Sequence, residues 1–388
     1  MMNNFKFQSP TKLIFGKKTV SKLGTLMVGK YKKVLLHYGG GSIKKSGLYD
    51  EVINILKENN IEIFELPGVE PNPKLKLVKE GIKLAKDNNI DLILAVGGGS
   101  VIDSAKAIGF GAKYDGDVWD FFLGKEIVED TIAVGVILTI PATGSEASAG
   151  TVVTNEDGAS KKSVNTDIIR PIFAIMDPTL TLSLPVEQTF AGVMDILSHI
   201  FERYFTNTKN VDLIDELSEG AMRSIIKNAY ILIKDPDNYD ARAEIMLAGT
   251  IAHNGLLGLG REEDWASHRM GHELSALYGA THGRTLGIMF PAWMKYVYKD
   301  NVDRFAQFAT NVFDVSVVRK TQDEIALEGI DCFISFLKDI EVPSSFAEEG
   351  LPIDSFELMA EKATNGGTLG SLKKLDKNDV INIYNLAK

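Results

Sequence analysis

At 388 residues the chain exceeds what one hydrophobic core ordinarily organises, so two domains are the expectation. It is 45% hydrophobic and 24% charged, and its 42 Lys+Arg against 52 Asp+Glu leave a net charge of -10, which argues against a nucleic-acid footprint and against adhesion to an anionic membrane. No stretch reaches the roughly 18 uninterrupted apolar residues of a membrane span, and the lone cysteine, Cys332, excludes an internal disulfide and a thiolate metal site.

The opening segment, MMNNFKFQSPTKLIFG, lacks the charged-then-apolar run of a signal peptide, and with the single thiol this points to a reducing, cytoplasmic setting. Lys33–Tyr38 (KVLLHY) reads as a buried strand, followed by a glycine turn and an amphipathic helix with Leu48, Val52, Ile55 and Leu56 on one face. Ile61–Leu66 is the next strand, then an EPNP connection and a helix with Val78, Ile82 and Ala85 in register. Asp91–Val96 is an apolar strand running straight into Gly97-Gly98-Gly99, and Ile132–Ile140 is another, ending in the small-residue turn PATGSEASAG. Two short β-like pieces, Thr151–Asn155 and Ile172–Met176, are separated by a polar loop carrying Lys161 and Lys162. From Pro185 the rhythm becomes helical: Glu187–Phe205, Leu213–Ile233, Ala241–Leu257, and the apolar pattern that holds Cys332 as a structural thiol. Strand-then-helix alternation is the mark of a mostly parallel sheet with helices on both faces. The expected architecture is therefore a Rossmann-like α/β domain over residues 1–183 and an all-α domain over 184–388.

A glycine run between a strand and a helix lets the backbone approach a pyrophosphate and aims helix N–H groups at its charge. Gly97-Gly98-Gly99-Ser100, with Asp103 in the following helical turn, has that context, although it is not the GxGxxG of an ordinary dinucleotide fold. Many tight turns after strands look like it, so the second turn matters. Gly39-Gly40-Gly41-Ser42 follows the first strand, trails Lys44 and Lys45, and has no Asp or Glu between Tyr38 and Leu48. An acid at that strand end would take a ribose 2′-hydroxyl, whereas hydroxyl and cationic groups suit a 2′-phosphate. Gly40, Gly41 and Ser42 thus favour NADP, with NAD possible.

Three of the six histidines crowd into residues 268–282, HRMGHELSALYGATH. Asp195 and His199 stand four residues apart on one predicted helix, as do His268 and His272 on another, and each such pair projects from one helical face. One Asp with three His suits a borderline divalent ion, Fe2+ or Zn2+, and leaves a coordination position for a substrate oxygen. Spacing alone makes His272 as good a third imidazole as His282. His37 and His253 have no comparable context and read as structural.

GGGSVIDSAK (97–106), ILTIPATGSEAS (137–148), AGVMDILSHIFE (191–202), DWASHRMGHELSALY (264–278) and THG (281–283) occur in this order, and the similarity runs from FxFxSPTKLIFG at residues 5–16 to PAWMKY at 291–296. The chain resembles the iron-containing (group III) alcohol dehydrogenase family, in its butanol dehydrogenase and NADPH-dependent aldehyde reductase branch. The resemblance implies a dehydroquinate synthase-like fold, metal ligands Asp195, His199, His268 and His282, and His272 beside the reacting centre as the general acid. It places the cofactor pyrophosphate on Gly98, Gly99 and Ser100 near Asp103, lines the cofactor with Thr139 and Thr143 through Ser145, and gives Lys161 a reach toward it. It also implies a homodimer joined through an edge strand near residues 5–15, and a short-chain primary alcohol or aldehyde as substrate. One departure stands out: the family's HGxGL reads His282-Gly283-Arg284-Thr285-Leu286 here, so the backbone path at that edge of the site is in question. Two other classes share the fold: a dehydroquinate synthase-type lyase, which needs several Arg and Lys around a phosphate-bearing substrate where this chain offers Arg261, Arg269 and Arg284, and a non-catalytic nucleotide sensor.

Overall fold

Apolar runs bounded by glycine and polar turns build a first compact unit, Gln8–Leu184, and long amphipathic segments build a second, Pro185–Lys388 together with Met1–Phe7. The computed structural model describes residues 1–158 and 160–388. The first seven residues, which the sequence places with the α/β domain, group with the helical unit instead: Asn3 donates its backbone N–H to the Gly260 carbonyl at 2.8 Å.

In the first unit the strands are β1 (Lys12–Phe15), β2 (Lys33–Tyr38), β3 (Glu62–Leu66), β4 (Leu92–Gly97), β5 (Ala133–Leu138), β6 (Gly150–Asn155), β7 (Ser160–Asn165) and β8 (Phe173–Met176). Six of them form a sheet in the order β1-β8-β5-β4-β2-β3, with every neighbouring pair parallel. β4 (LILAVG) is buried along its whole length, the continuous apolar run that a strand covered on both faces requires. The helices α1 (Leu48–Glu58), α2 (Leu75–Asn88) and α3 (Gly99–Gly111) connect these strands. Strand order reverses between β2 and β4, and ligands of open α/β sheets bind at the carboxyl ends flanking such a reversal. Both glycine turns stand there, because Tyr38 pairs with Val96 in register and Gly97 with Leu138.

Two expectations change. The polar loop around Lys161 and Lys162 is a strand, β7, antiparallel to β6 with Thr154 opposite Lys161. Its sequence, SKKSVN, has no apolar alternation, so backbone pairing with β6 makes it a strand and its own side chains give no signal. The edge strand expected over 5–15 is confined to Lys12–Phe15 and pairs with β8 alone among the described residues.

The second unit is helical, as expected. Its early members are α4 (Val186–Tyr204), α5 (Asp212–Lys234), α6 (Tyr239–His253), α7 (Ala266–Tyr278) and α8 (His282–Val297). The segment expected to be helical to Leu257 stops at His253, where Gly255 at φ 100 breaks the backbone path. From Phe190 to Tyr204 every residue of α4 is buried, because it runs through the middle of a core containing Phe201, Phe205, Phe290, Trp293, Phe305 and Phe308. Cys332 is half-buried on the helix Gln322–Asp339, and burial raises its thiol pKa, as a structural thiol requires. No helix among the described residues is long and apolar enough to cross a membrane.

Candidate functional site

Because α4 is buried on all sides, Asp195 is carried into the interior with it and is 2% exposed. His268 enters from the first turn of α7. That helix ends at Gly279, whose φ of 71 supplies a left-handed cap, and the chain turns through Ala280 and Thr281 so that His282 opens α8. Asp195, His268 and His282 thereby offer ligand atoms that all lie within 4.8 Å of one another. Among the described residues no other group of three or more His, Cys, Asp or Glu side chains converges in this way. A carboxylate oxygen with imidazole nitrogens is a donor set that fits Fe2+ or Zn2+.

His199 stands beside this triple and is not part of it. Its Nδ1 donates to the Asp195 carbonyl oxygen at 2.8 Å, one helical turn back, and its ring centroid lies 4.7 Å from that of His268. Burial, with His268 and Arg203 nearby, pushes its pKa well below the usual imidazole value, so the ring is neutral and Nε2 carries its lone pair. The ring of His272 lies 5.1 Å from that of His282 and 6.4 Å from that of His268, and its side chain is half-buried. The structure therefore separates the two imidazoles that spacing left equivalent: His282 joins the triple and His272 flanks it.

What brings α8 so close to α4 is a glycine. A Cβ on Gly283 would fall inside the Ala191 carbonyl group, within 2.7 Å of its carbon, so the first turn of α8 lies directly on the α4 backbone. Thr285, the departure from the family pattern, leaves α8 regular: its hydroxyl donates to the His282 carbonyl at 2.7 Å and faces Gly271 of α7.

Three further residues stand around the centre: Glu202, His253 and Trp265. Glu202, one turn beyond His199 on α4, is 1% exposed and receives the His268 Nδ1–H at 2.7 Å, the His268 backbone N–H at 3.0 Å and the Trp265 backbone N–H at 2.5 Å. Burial pushes its carboxyl up to about 8, against those backbone hydrogen bonds. An acid seven residues after Asp195, on the same helical face of an otherwise apolar segment, was the available signal. His253, read as structural, ends α6 with its ring 4.1 Å from His199 and 5.6 Å from Trp265. Trp265 holds a left-handed φ of 63, and its ring lies 4.9 Å from His268. His37, the other structural assignment, spans the sheet: Nδ1 is 2.8 Å from the Leu66 carbonyl, Nε2 is 2.9 Å from Ser104 Oγ, and burial lowers its pKa to about 4.

In the α/β unit, α3 starts at Gly99 without a side-chain cap, which leaves its first N–H groups to point outward. Gly97, Gly98 and Gly99 are demanded by the protein itself as well: a Cβ would meet Val101 Cγ2 at 2.5 Å, Ile140 Cβ at 2.9 Å and Thr143 Cγ2 at 2.5 Å respectively. Gly40 and Gly41 differ, since a Cβ at either would meet nothing within 4 Å. Open space over one turn and an uncapped helix start at the next are what a dinucleotide needs.

Several expected cofactor residues turn out to hold the turns in place. Each oxygen of Asp103 accepts a hydrogen bond, from Ser145 Oγ at 2.6 Å and from the Val152 N–H at 3.1 Å, and burial raises its pKa. Lys106, fully buried, donates to Ser145 Oγ at 2.9 Å, the Ser148 carbonyl at 3.0 Å and the Gly150 carbonyl at 2.8 Å; burial lowers its pKa to about 8. A lysine three residues after an aspartate inside the apolar run GGGSVIDSAKAIGFG was the missed clue, since such a charge is buried only with partners. Ser145 N–H bonds Thr143 Oγ1 at 3.1 Å, and Thr139 N–H bonds the Gly97 carbonyl at 3.0 Å, so the β5 turn is tied to the β4 turn. Ser100 lies in the first turn of α3, and Ser42 opens the short helix Ser42–Lys45. Lys161 on β7 donates to Asn72 Oδ1 of the EPNP connection at 2.9 Å. Lys44 sits over the rings of Tyr38 and Tyr49, at 5.4 and 4.7 Å, and both tyrosine hydroxyls donate to Glu65. The acid absent between Tyr38 and Leu48 is thus present on the neighbouring strand, β3.

Comparison with known proteins gives a consistent answer for both units. The family model described as iron-containing alcohol dehydrogenase matches residues 10–178, and that of the Fe-containing alcohol dehydrogenase family, C-terminal, matches residues 189–387. The chain is 42% identical over 386 residues to the NADH-dependent butanol dehydrogenase A of Clostridium acetobutylicum, covering 99% of each chain. It is 35% identical over 370 residues to an NADPH-dependent aldehyde reductase of Escherichia coli, covering 94% of each. The crystal structure of the NADH-dependent butanol dehydrogenase A of Thermotoga maritima matches with a TM-score of 0.96 at 41% identity, over 100% of this chain and 99% of that one.

Proposed function

We propose that this chain, which belongs to the iron-containing alcohol dehydrogenase family, transfers a hydride between NADP(H) and a short-chain primary alcohol or aldehyde. The observation that carries the reading is the convergence of Asp195, His268 and His282 within 4.8 Å in a buried site. Asp195, His268 and His282 would hold a divalent ion, Fe2+ or Zn2+, with Nε2 of His199 as the fourth ligand. Such an ion supplies Lewis-acid polarisation of a carbonyl, and the nicotinamide supplies the hydride. The remaining work belongs to the chain. Gly40, Gly41 and Ser42, with Gly98, Gly99 and Ser100, receive the cofactor's phosphates and ribose; Asp103, Ser145 and Lys106 keep those turns in place. Thr139, Thr143 and Lys161 line the nicotinamide side. His272 delivers the proton that the reduced substrate oxygen takes up, as an imidazole at the flank of the site can.

The two other classes have less support. Arg261 is spent on Asp215 at 2.8 Å and Arg284 on Glu349, so of the three arginines only the exposed Arg269 is left for a phosphate-bearing lyase substrate, which needs several cations. A non-catalytic sensor would have no use for a converged ligand set.

The test is turnover of butanal by protein loaded with Fe2+ or Zn2+, with NADPH and NADH compared. We expect kcat/KM with NADPH at least about tenfold higher, since a turn with no acid of its own suits a 2′-phosphate. Glu65 and the relatives named NADH-dependent argue for the opposite preference. A ratio at or below one overturns the NADP reading and leaves the reaction class intact; no oxidation of either cofactor with any short aldehyde overturns the class.

His272→Ala is expected to lower kcat by about 100-fold, the lower range for a lost general acid, with metal content per chain unchanged by elemental analysis. Loss of metal along with activity would make His272 a ligand. Two copies are expected to pair through β1, an edge strand with Leu13 41% and Phe15 39% exposed. Light scattering should then give about twice the 42.5 kDa of one chain; a monomer mass would remove that pairing.

A further inference from the structure

One carboxylate in the helical unit does three things at once. Glu202 is 1% exposed, stands three residues after His199 on α4, and receives the His268 Nδ1–H at 2.7 Å. The same carboxylate receives the backbone N–H of His268 at 3.0 Å and of Trp265 at 2.5 Å, the first turn and cap of α7. Ring and backbone of His268 are therefore held by one group, from one side.

A neutral imidazole carries one proton, and the nitrogen that donates it determines which nitrogen keeps the lone pair. Oε1 of Glu202 already accepts the His268 backbone N–H, and as a carboxylate oxygen it accepts from Nδ1 as well, which leaves the lone pair of His268 on Nε2, the ring nitrogen remaining to the triple with Asp195 and His282. A carboxylate acceptor also raises the basicity of the imidazole it holds, and so strengthens its bond to a cation. A helix cap needs neither the ring contact nor this burial, since exposed Ser, Thr or Asp residues cap helices well.

We propose that Glu202 is a positioning residue for the divalent ion: it fixes the Nδ1–H tautomer of His268, presents Nε2 to the ion, and thereby sets the affinity of the site. This rests on the metal-centre reading above. It concerns binding and not turnover, so it can be tested without substrate or nicotinamide.

Apo-protein is titrated with Zn2+ against a competing chelator, for the wild type and for Glu202→Gln. Glutamine keeps the size and one acceptor oxygen but replaces the other oxygen with an amide nitrogen that only donates. The expected result is Zn2+ affinity about 10- to 100-fold weaker in Glu202→Gln, with the melting temperature of the apo-protein little changed. Equal affinity in the two proteins overturns the proposal and leaves the metal centre standing, whereas a wild type that binds no Zn2+ overturns the metal centre itself. Should Glu202→Gln not fold, the wild type decides alone. Nitrogen-15 NMR of labelled histidines, with the His268 signals identified by their absence in His268→Gln, should show Nδ1 protonated in the apo-protein and Nε2 shifted by Zn2+. A proton on Nε2, or Zn2+ on Nδ1, overturns the proposal.

Discussion

Asp195→Ala is expected to abolish metal binding and turnover while leaving the apo-protein no less stable than the wild type. Asp195 supplies the one carboxylate of the proposed ligand set, and the imidazoles left behind bring no negative charge to a divalent ion. Affinity for Zn2+ should fall by well over about 100-fold, the upper end of what losing a mere supporting group costs. The stability half of the prediction follows from burial. Asp195 is 2% exposed, with Oδ1 3.5 Å from His199 Nδ1 and 3.8 Å from His282 Nε2, and burying a carboxylate costs several kcal/mol that such contacts offset less than a bound cation does. The two proteins should therefore melt alike without metal, or the variant higher, and Zn2+ should raise the melting temperature of the wild type alone. Thermal melts with and without Zn2+ decide. A variant that melts lower in both conditions assigns Asp195 a structural role, and one that still answers to Zn2+ removes it from the ligand set.

Gly283→Ala is the second large effect, and it comes from a residue with no functional group. An added methyl would sit inside the Ala191 carbonyl group and within 3.1 Å of its Cα, all of it backbone that cannot rotate away. The helices α4 and α8 must move apart, and with them Asp195 and His282. Overpacking of this kind costs about 3 kcal/mol or more, which for a unit of this size lowers the melting temperature by roughly 6 to 12 °C. Zn2+ affinity should fall as well, because the displacement acts on two ligands. Gly220→Ala is the control: its methyl would meet only Arg223 Nη2, at 3.9 Å, inside the helix α5. Alanine there should stabilise by about 0.5 to 1 kcal/mol. A Gly283→Ala protein with wild-type melting and wild-type Zn2+ affinity would mean that α8 does not pack on α4 as described.

Much of this protein was legible in its residue order, and the reason is locality. Strand and helix periods, glycine turns after β2 and β4, and the Asp195/His199 and His268/His272 spacings are all properties of short segments, and they placed the sheet, the helices and the ligand-bearing faces. β7 was illegible because SKKSVN becomes a strand only by pairing with β6. Glu65 lies outside the turn it serves, and its place beside Tyr38 depends on two strands lying in register. The choice between His272 and His282 needed the left-handed cap at Gly279 and the contact of Gly283 with Ala191, which are features of tertiary packing. Glu202 is likewise an ordinary helical acid until α7 is laid across it. The sequence by itself determined which faces carry chemistry, since periodicity is written into neighbouring residues. Only the tertiary structure decided which faces meet, because convergence within a few ångströms depends on contacts between residues far apart in the chain.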